Sequence, residues 1–505
     1  MPAFLVFDIG TSGGKAGLVD EEGKVIAVRK EGWSAREPPG LEGYGSEFDP
    51  REVESKLVSA TRQVLQESRV KASDVLAVST TSLRFGYAFL DALDAPLYLG
   101  SNMDGRGFFE QEVIEEKLGD GLYEITGLYP SMLFGLAKLL WFKENAPEKF
   151  GRVSKLMSLD DWWTYKLSGE FITDHASAST TGFYNVKKRD WSDEILSAFR
   201  LGAGILPKLT ESGTRAGQLN EASQSVLGLN RATVAVGGPD TQCGLLGSGC
   251  LSERDLGVVA GATAPCQLVL ASPALKQAKK VWLGGYMVPG TYVVESNAGQ
   301  CGLTYDWAVR TYLGQGDYAF AQAEQLLSAA DPSPSGITSV VGSQIMDLER
   351  MHLMRPSVTL FPSPVVPPFF RADTGSFLKA VLEEACYAIS CNIDLLELQS
   401  GVTPNSLRVT GGLTKSRTFC RTLSNVTSKQ VCASSEADGT VLGAALCAMV
   451  GSGASKSLKE AGEHALHPSE VSQPDEALKG SYTEAKQKWR DLYLEMTRLT
   501  EEGRL

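Results

Sequence analysis

Apolar positions cluster in short runs separated by polar, glycine-rich stretches. Ala3–Ile9 is one such run, and Lys15–Val19 is a second. Glu21-Glu22-Gly23-Lys24 reads as a hairpin turn leading into Val25–Arg29, so the pattern predicts three strands around the loop Gly10-Thr11-Ser12-Gly13-Gly14. A polar loop over about 32–49 precedes a predicted helix at Pro50–Ser68. Strands are expected at Asp74–Thr80 and Tyr87–Leu90. From about 105 to 170 the spacing turns helical, most clearly at Leu136–Asn145 and Asp161–Leu167.

A second strand-rich block covers Ala232–Val236, Leu256–Ala260, Pro265–Leu270 and Tyr292–Glu295. Proline punctuates 331–371, which is expected to be mostly loop. Helices follow at Thr374–Gln399 and Ala437–Val450, with strand Leu407–Thr410 between them, and a charged amphipathic helix closes the chain at Glu484–Leu499. Strands and helices alternate throughout, which predicts an α/β class. A break near 245 suggests two domains, 1–245 and 246–505, each opening with strand, glycine loop and strand. No short repeat of a solenoid is visible.

Length and composition agree with this division. The 505 residues are too many for one ordinary domain, and 43% apolar with 21% charged is a globular balance. The net charge of −12, with no Lys/Arg cluster, excludes a general nucleic-acid binder, which needs a basic face. An anionic ligand would have to be met by local backbone donors and a cation. Nine cysteines, an odd number without a Cys-x-x-Cys pair and with none before Cys243, argue against a disulfide framework or zinc site. A reducing cytoplasm is the expected setting. His464 and His467 lack ligand-spaced partners. No apolar stretch approaches membrane-spanning length, and the N-terminus has no basic, signal-like start.

Four segments can carry chemistry. In Asp8-Ile9-Gly10-Thr11-Ser12-Gly13-Gly14-Lys15, small residues let backbone N–H groups turn toward phosphate oxygens. Thr11 and Ser12 add hydroxyls, Lys15 a positive charge, and Asp8 a carboxylate that can hold Mg²⁺ through water. It is not a Walker A loop, since Ile9 and Ala16 break that pattern. In Gly237-Gly238-Pro239-Asp240-Thr241-Gln242, Asp240 at a strand end can take the proton of an attacking hydroxyl, or simply cap a helix. Val258-Val259-Ala260-Gly261-Ala262-Thr263 is another strand-to-glycine turn. Val409-Thr410-Gly411-Gly412-Leu413-Thr414-Lys415-Ser416 presents a Gly-Gly turn against which a purine can lie. Each segment alone is equally compatible with ordinary turn chemistry.

Their order resembles the sugar kinase/heat-shock/actin superfamily, and the FGGY carbohydrate kinases in particular. The likeness also takes in Leu159-Asp160-Asp161-Trp162, Leu167-Ser168-Gly169-Glu170 and Thr173-Asp174-His175-Ala176-Ser177-Ala178-Ser179. Arg189-Asp190-Trp191-Ser192, Glu436-Ala437-Asp438 and Leu442-Gly443-Ala444-Ala445 match as well. The resemblance implies two actin-like (ribonuclease H-like) domains with a nucleotide cleft between them, using ATP and Mg²⁺. It places the catalytic base at Asp240 and metal-associated carboxylates at Asp8 and Asp240. Nucleotide contacts fall on Asp8, Gly10, Thr11, Ser12, Lys15, Gly261, Thr263, Gly302, Asp306, Gly411, Gly412 and Ser416. Sugar contacts fall on Arg84, Phe85, Asn102, Asp104, Asp240 and Thr241. A homodimer is the assembly the resemblance would allow.

At the sugar turn the chain reads Ser82-Leu83-Arg84-Phe85-Gly86, followed by Asn102-Met103-Asp104-Gly105-Arg106. Xylulose kinases usually show Gln-Met-His-Gly at the first place and glycerol kinases Gln-Arg-Glu. This chain has neither, and Arg84, Asn102 and Asp104 look more like the autoinducer-2 kinase branch, as does the loop-rich 337–371 region. Phe85 stands where a Glu is often seen, and Gly13 replaces a usual Ser. Two other classes remain to be weighed. A non-catalytic actin-like sensor would have no need of Asp240, and a dinucleotide enzyme would need Gly-x-Gly-x-x-Gly after the first strand, which residues 8–15 lack.

Overall fold

The computed structural model describes residues 2–275, 280–316, 318–350, 353–365, 370, 372–404, 406–434, 438–466 and 470–505, without the side chain of 349. Glu436, Ala437 and His467, singled out above, lie outside them. Two sheets organise the chain. The first has six strands in the order Arg215–Gln218, Thr233–Pro239, Val75–Ser82, Ala3–Ile9, Gly13–Asp20, Val25–Gly32. The second has seven, ordered Trp282–Gly285, Tyr292–Asn297, Pro265–Leu270, Leu256–Val259, Ser406–Thr410, Gln430–Ala433, Glu470–Ser472.

The two sheets repeat one polarity. In the first, two antiparallel pairings (Val25–Gly32 on Gly13–Asp20, and that strand on Ala3–Ile9) lead to two parallel ones, onto Val75–Ser82 and Thr233–Pro239, and then to an antiparallel edge. From Tyr292–Asn297 to Glu470–Ser472 the second sheet runs through the same sequence of pairings. The strand Trp282–Gly285 is an addition at its edge. Equivalent strand ends therefore deliver equivalent loops, one set from each half of the chain.

The central strands are buried on both faces, which is why Ala3–Ile9 and Thr233–Pro239 read as continuous apolar runs rather than alternating ones. Helix Pro50–Ser68 covers the first sheet. Asp49 caps it by accepting from the Arg51 and Glu52 N–H groups, and Pro50 stands at its first position. Helix Thr374–Ser400, capped by Asp373, is buried along nearly its whole length against the second sheet. The described residues of 331–371 are mostly loop, with two short strands, Thr338–Val340 and Val358–Leu360. It is not free-hanging. Three consecutive N–H groups, of Val341, Gly342 and Ser343, donate to Glu384 Oε1 at 2.8–3.0 Å. Lys379 donates to the carbonyls of Asp331 and Ser333.

Several boundaries differ from the sequence expectation. The final helix is longer, Lys479–Glu501, because its polar ends carry no apolar period. The small-residue helix starts at Gly439, capped by Asp438. The predicted helical region 105–170 contains a buried strand, Lys155–Ser158, whose four residues are too few to show a period of two.

The halves meet through two helices that cross at glycines. Helix Asp240–Gly247 leaves the first sheet, and helix Gly439–Ser452 belongs to the second half yet packs on strands of the first. A Cβ on Gly247 would collide with the Gly439 carbonyl, and one on Gly443 with the Cys243 carbonyl. Only glycine allows this approach. A second junction lies at Gly127, whose carbonyl accepts the Leu283 N–H at 2.9 Å, beside Tyr123, which donates to the Val281 carbonyl at 2.6 Å.

Candidate active site

The first glycine loop closes on itself: Gly10 N–H donates to the Gly13 carbonyl at 2.8 Å. Its counterpart in the second half does the same, with Gly261 N–H donating to the Thr263 carbonyl at 3.0 Å. Both loops follow the end of a strand, at Ile9 and Val259, as the repeated topology requires.

Lys15 rises from the strand after the first loop. Its ammonium lies 2.9 Å from Asp438 Oδ2 and 3.2 Å from Asp8 Oδ2. Burial alone would lower the lysine pKa, but the two carboxylates outweigh it and raise it. Asp8 is pushed above the ordinary carboxylate range by burial, with Lys15 opposing. Thr11 donates from Oγ1 to Asn102 Oδ1 at 3.0 Å, joining a residue expected at the nucleotide to one expected at the sugar. Ser12 is exposed on the loop.

Asp240 is the first residue of helix Asp240–Gly247, directly after a buried strand. Its Oδ1 accepts the Thr241 N–H at 2.6 Å and the Thr241 hydroxyl at 3.0 Å. Burial first, and then the charge of Asp8, raise its pKa to about 6, against the pull of Arg84. A carboxylate of that basicity is a competent proton acceptor near neutral pH. Thr241 acts on Asp240 itself, so its hydroxyl is already engaged.

Arg84 sits in the turn after strand Val75–Ser82. That turn is anchored from below, because Asp160 accepts the hydroxyls of Ser82 at 2.7 Å and Ser177 at 2.9 Å. The guanidinium reaches across to the other half and forms a fork on Glu295, at 2.6 and 2.8 Å. Gln267 donates to the same carboxylate at 2.6 Å. The rings of Phe85 and Trp282 lie 5.8 Å from the guanidinium carbon. Phe85 itself has φ +64°, a backbone state costly for a bulky residue.

Of the remaining expected sugar contacts, Asn102 lies beside Thr11, but Asp104 does not open onto the cleft. It is fully buried and accepts from Tyr98 at 2.6 Å and from Arg106 at 2.7 Å. Its sequence neighbours suggested a ligand contact, whereas its hydrogen bonds make it a support for the Asn102 turn.

On the second half, Gly261, Gly302, Asp306, Gly412 and Ser416 line one cavity of about 760 Å³, together with Tyr305, Phe320 and Glu324. Its size and mixed lining suit a small organic ligand. A Cβ on Gly302 would strike the Gly261 carbonyl, so this helix start lies directly against the second loop. Gly411, at φ +105°, packs on the Ala260 carbonyl, and the open side of Gly412 faces free space. Ser416 caps helix Arg417–Thr427 and donates to Glu324 Oε2 at 2.6 Å. Asp306 is paired with Arg310 at 2.9 Å. Thr263 lines an adjoining polar cavity with Asn297, Gln300 and Ser343.

Glu295, Gln267, Trp282, Lys138, Asp438 as a partner of Lys15, and Glu324 were not identified from sequence as site residues. Lys138 is fully buried and donates to the Phe85 carbonyl at 2.9 Å and the Ser101 carbonyl at 3.0 Å. It thereby ties together the two turns that carry Arg84 and Asn102. Burial lowers its pKa to about 7. A lysine inside the apolar run Leu136–Leu140 was the available signal.

Comparison with known proteins extends over the whole arrangement. Residues 3–247 match the FGGY family of carbohydrate kinases, N-terminal domain, and residues 258–452 match the C-terminal domain of the same family. The chain is 27% identical to an autoinducer-2 kinase of Salmonella typhimurium over 99% of its length and 95% of that protein's. In fold it is similar to xylulose kinases of Lactobacillus acidophilus and Rhodospirillum rubrum. The first aligns with a TM-score of 0.85 at 17% identity over 99% of this chain and all of that one. The second has a TM-score of 0.84 at 20% identity over 98% and 99%.

Proposed function

The chain belongs to the FGGY family of carbohydrate kinases and is an ATP-dependent phosphotransferase with an alcohol group as acceptor; from that premise we propose how its residues divide the work. Residues 1–245 and 246–505 act as two lobes, with nucleotide held mainly by the second and sugar mainly by the first. The adenosine part occupies the cavity lined by Gly302, Gly412 and Ser416, and the phosphates lie between the two glycine loops. Asp240 accepts the proton of the sugar hydroxyl as the phosphoryl group is transferred.

The observation that carries this reading is the setting of Asp240. It stands at a strand end where the charges of Asp8 and Arg84 both act on it, with its pKa raised to about 6 and Oδ2 without a protein donor among the described residues. Arg84 and Asn102 hold sugar hydroxyls, and closure of the lobes excludes water from the transfer. Asp8 and Asp240 fit a Mg²⁺ site: Asp8 raises the Asp240 pKa through its charge, and two carboxylates plus nucleotide phosphates suffice for this ion. Bound there, Mg²⁺ would neutralise charge on the phosphates.

The acceptor we infer is a small ketose or ketose-like compound, of autoinducer-2 type or a pentulose. The printed activities of the relatives and the Arg84, Asn102 turn support this. The described cysteines are free thiols, which suits a reducing cytoplasm, and no described helix is long and apolar enough to cross a membrane. Coupled ADP release with Mg-ATP tests the reading against xylulose, ribulose, glycerol, erythritol, gluconate and the autoinducer-2 precursor. A strong response to a ketose or the precursor is expected. Turnover of glycerol alone would refute the ketose assignment.

A further inference from the structure

An arginine in a sugar pocket is ordinarily a receptor for anions, because its planar fork matches a carboxylate. Here that fork is already filled. Both terminal nitrogens of Arg84 are bonded to Glu295, and the pair is closed off from solvent, with side chains 14% and 3% exposed. Burial would lower the arginine's pKa, yet Glu295 outweighs it and holds the guanidinium charged. The partner comes from the opposite half, on strand Tyr292–Asn297, and is itself fixed by Gln267. The positive charge of the sugar turn is thus cancelled within the protein.

What remains facing the acceptor is electronegative. Asp240 acts on Arg84 from one side, and Asp8 acts on Asp240. Lys15, the other nearby cation, is shared between Asp8 and Asp438. Gln242, which lines the same small cavity as Arg84 and Glu295, has a buried Oε1 without a donor among the described residues. These groups call for O–H donors. A carboxylate offers only acceptors, whereas a hydroxyl can donate to Gln242 and Asp240 while accepting from the guanidinium N–H groups that Glu295 leaves free.

We propose that Glu295, by neutralising Arg84 from across the cleft, is a specificity residue that admits uncharged polyhydroxylated acceptors and rejects sugar acids. This deepens the kinase reading above and rests on it. The same ion pair joins the two halves, so selection and the junction between them share one contact.

The test uses neutral and acidic acceptors of matched length, erythritol with erythronate and xylulose with xylonate, and measures ADP release and product phosphate. Wild-type enzyme is expected to favour the neutral member by at least tenfold in kcat/KM. Glu295→Gln keeps an oxygen for Arg84 but removes the charge. It should shrink that preference about tenfold or more, with the KM for ATP unchanged. Arg84→Met should lower turnover of neutral acceptors with no gain for acids.

Nucleotide-induced thermal shift reports whether each variant is folded. If Glu295→Gln fails that check, Glu295→Asp supplies a second probe: it keeps the negative charge opposite Arg84 and should keep the preference for neutral acceptors. A wild-type enzyme that prefers the acids overturns the proposal, as does proportional loss of both classes in Glu295→Gln. Silence with every acceptor, despite nucleotide binding, would sink the kinase reading instead. In that event acceptor binding by thermal shift still decides, since stronger stabilisation by acids than by polyols refutes the selection.

Discussion

Replacing Asp240 with Asn should make the protein both inactive and more stable. The substitution keeps an Oδ1 to accept from the Thr241 N–H and hydroxyl, so local geometry is preserved. It removes the proton acceptor, which is worth about 10²–10⁴ in kcat. It also removes a charge that the fold resists. The Asp240 pKa moves from the ordinary 3.8 to about 6 on folding, so the folded state holds the proton more tightly than the unfolded chain. Ionising it costs stability, a penalty absent below pH 3.8 and fully present above about 6. The two-unit gap corresponds to at most about 3 kcal/mol, and partial exposure at the cleft reduces this to about 1–3 kcal/mol.

The expected result at pH 7.5 is therefore a melting temperature a few degrees above wild type, with the gain vanishing near pH 4. The assays are ADP release and scanning calorimetry across that range. In wild-type enzyme kcat/KM should fall about tenfold per pH unit below about 6, as the base is protonated. A variant within tenfold of wild-type kcat would remove Asp240 from the base role. An absent or pH-independent stability gain would refute the electrostatic argument, whatever the activity did.

Two further substitutions probe the supports of the site. Lys138→Met leaves the Phe85 carbonyl buried without its donor and the Ser101 carbonyl with the Asp104 N–H at 3.3 Å, at about 1–3 kcal/mol for the orphaned group. The KM for the acceptor should rise tenfold or more while that for ATP holds; equal effects on both would contradict a role confined to the sugar turns. Gly302→Ala drives a methyl into the Gly261 carbonyl and should cost turnover by displacing the second glycine loop, whereas Gly412→Ala meets no atom within 4 Å and should leave the fold intact. Equal kcat/KM for ATP in Gly302→Ala and wild type would show that the loop does not contact the phosphates.

What could be read from sequence follows from how local each feature is. The central strands of both sheets were legible because burial on two faces demands continuous apolar runs, and the glycine loops because their turns demand small residues; Arg215–Gln218, Trp282–Gly285, Gln430–Ala433 and Glu470–Ser472, short and toward the sheet edges, were not read. Helix Lys479–Glu501 was underestimated at both ends, since a helix end without apolar period leaves no mark. The misplaced expectation for Asp104 has the same root. Sequence records that an acid stands beside a sugar turn but not that Tyr98 and Arg106 satisfy it from within. Glu295 was overlooked because its partner is 211 positions away. A lone acid inside a buried strand was the local hint of an ion pair made between halves.

The glycine crossing of helices Asp240–Gly247 and Gly439–Ser452 bears on how the machine can move. A lever turns most at its rim and least at its fulcrum. The acid of the first helix and Asp438, the cap of the second and partner of Lys15, both stand at the starts of the crossing helices. Arg84 and Glu295 share a small cavity with Gln242 of the first helix, so they too sit close to the fulcrum. If the lobes swing about that crossing, their outer ends travel furthest, while acceptor choice and proton transfer are both left to parts that scarcely stir.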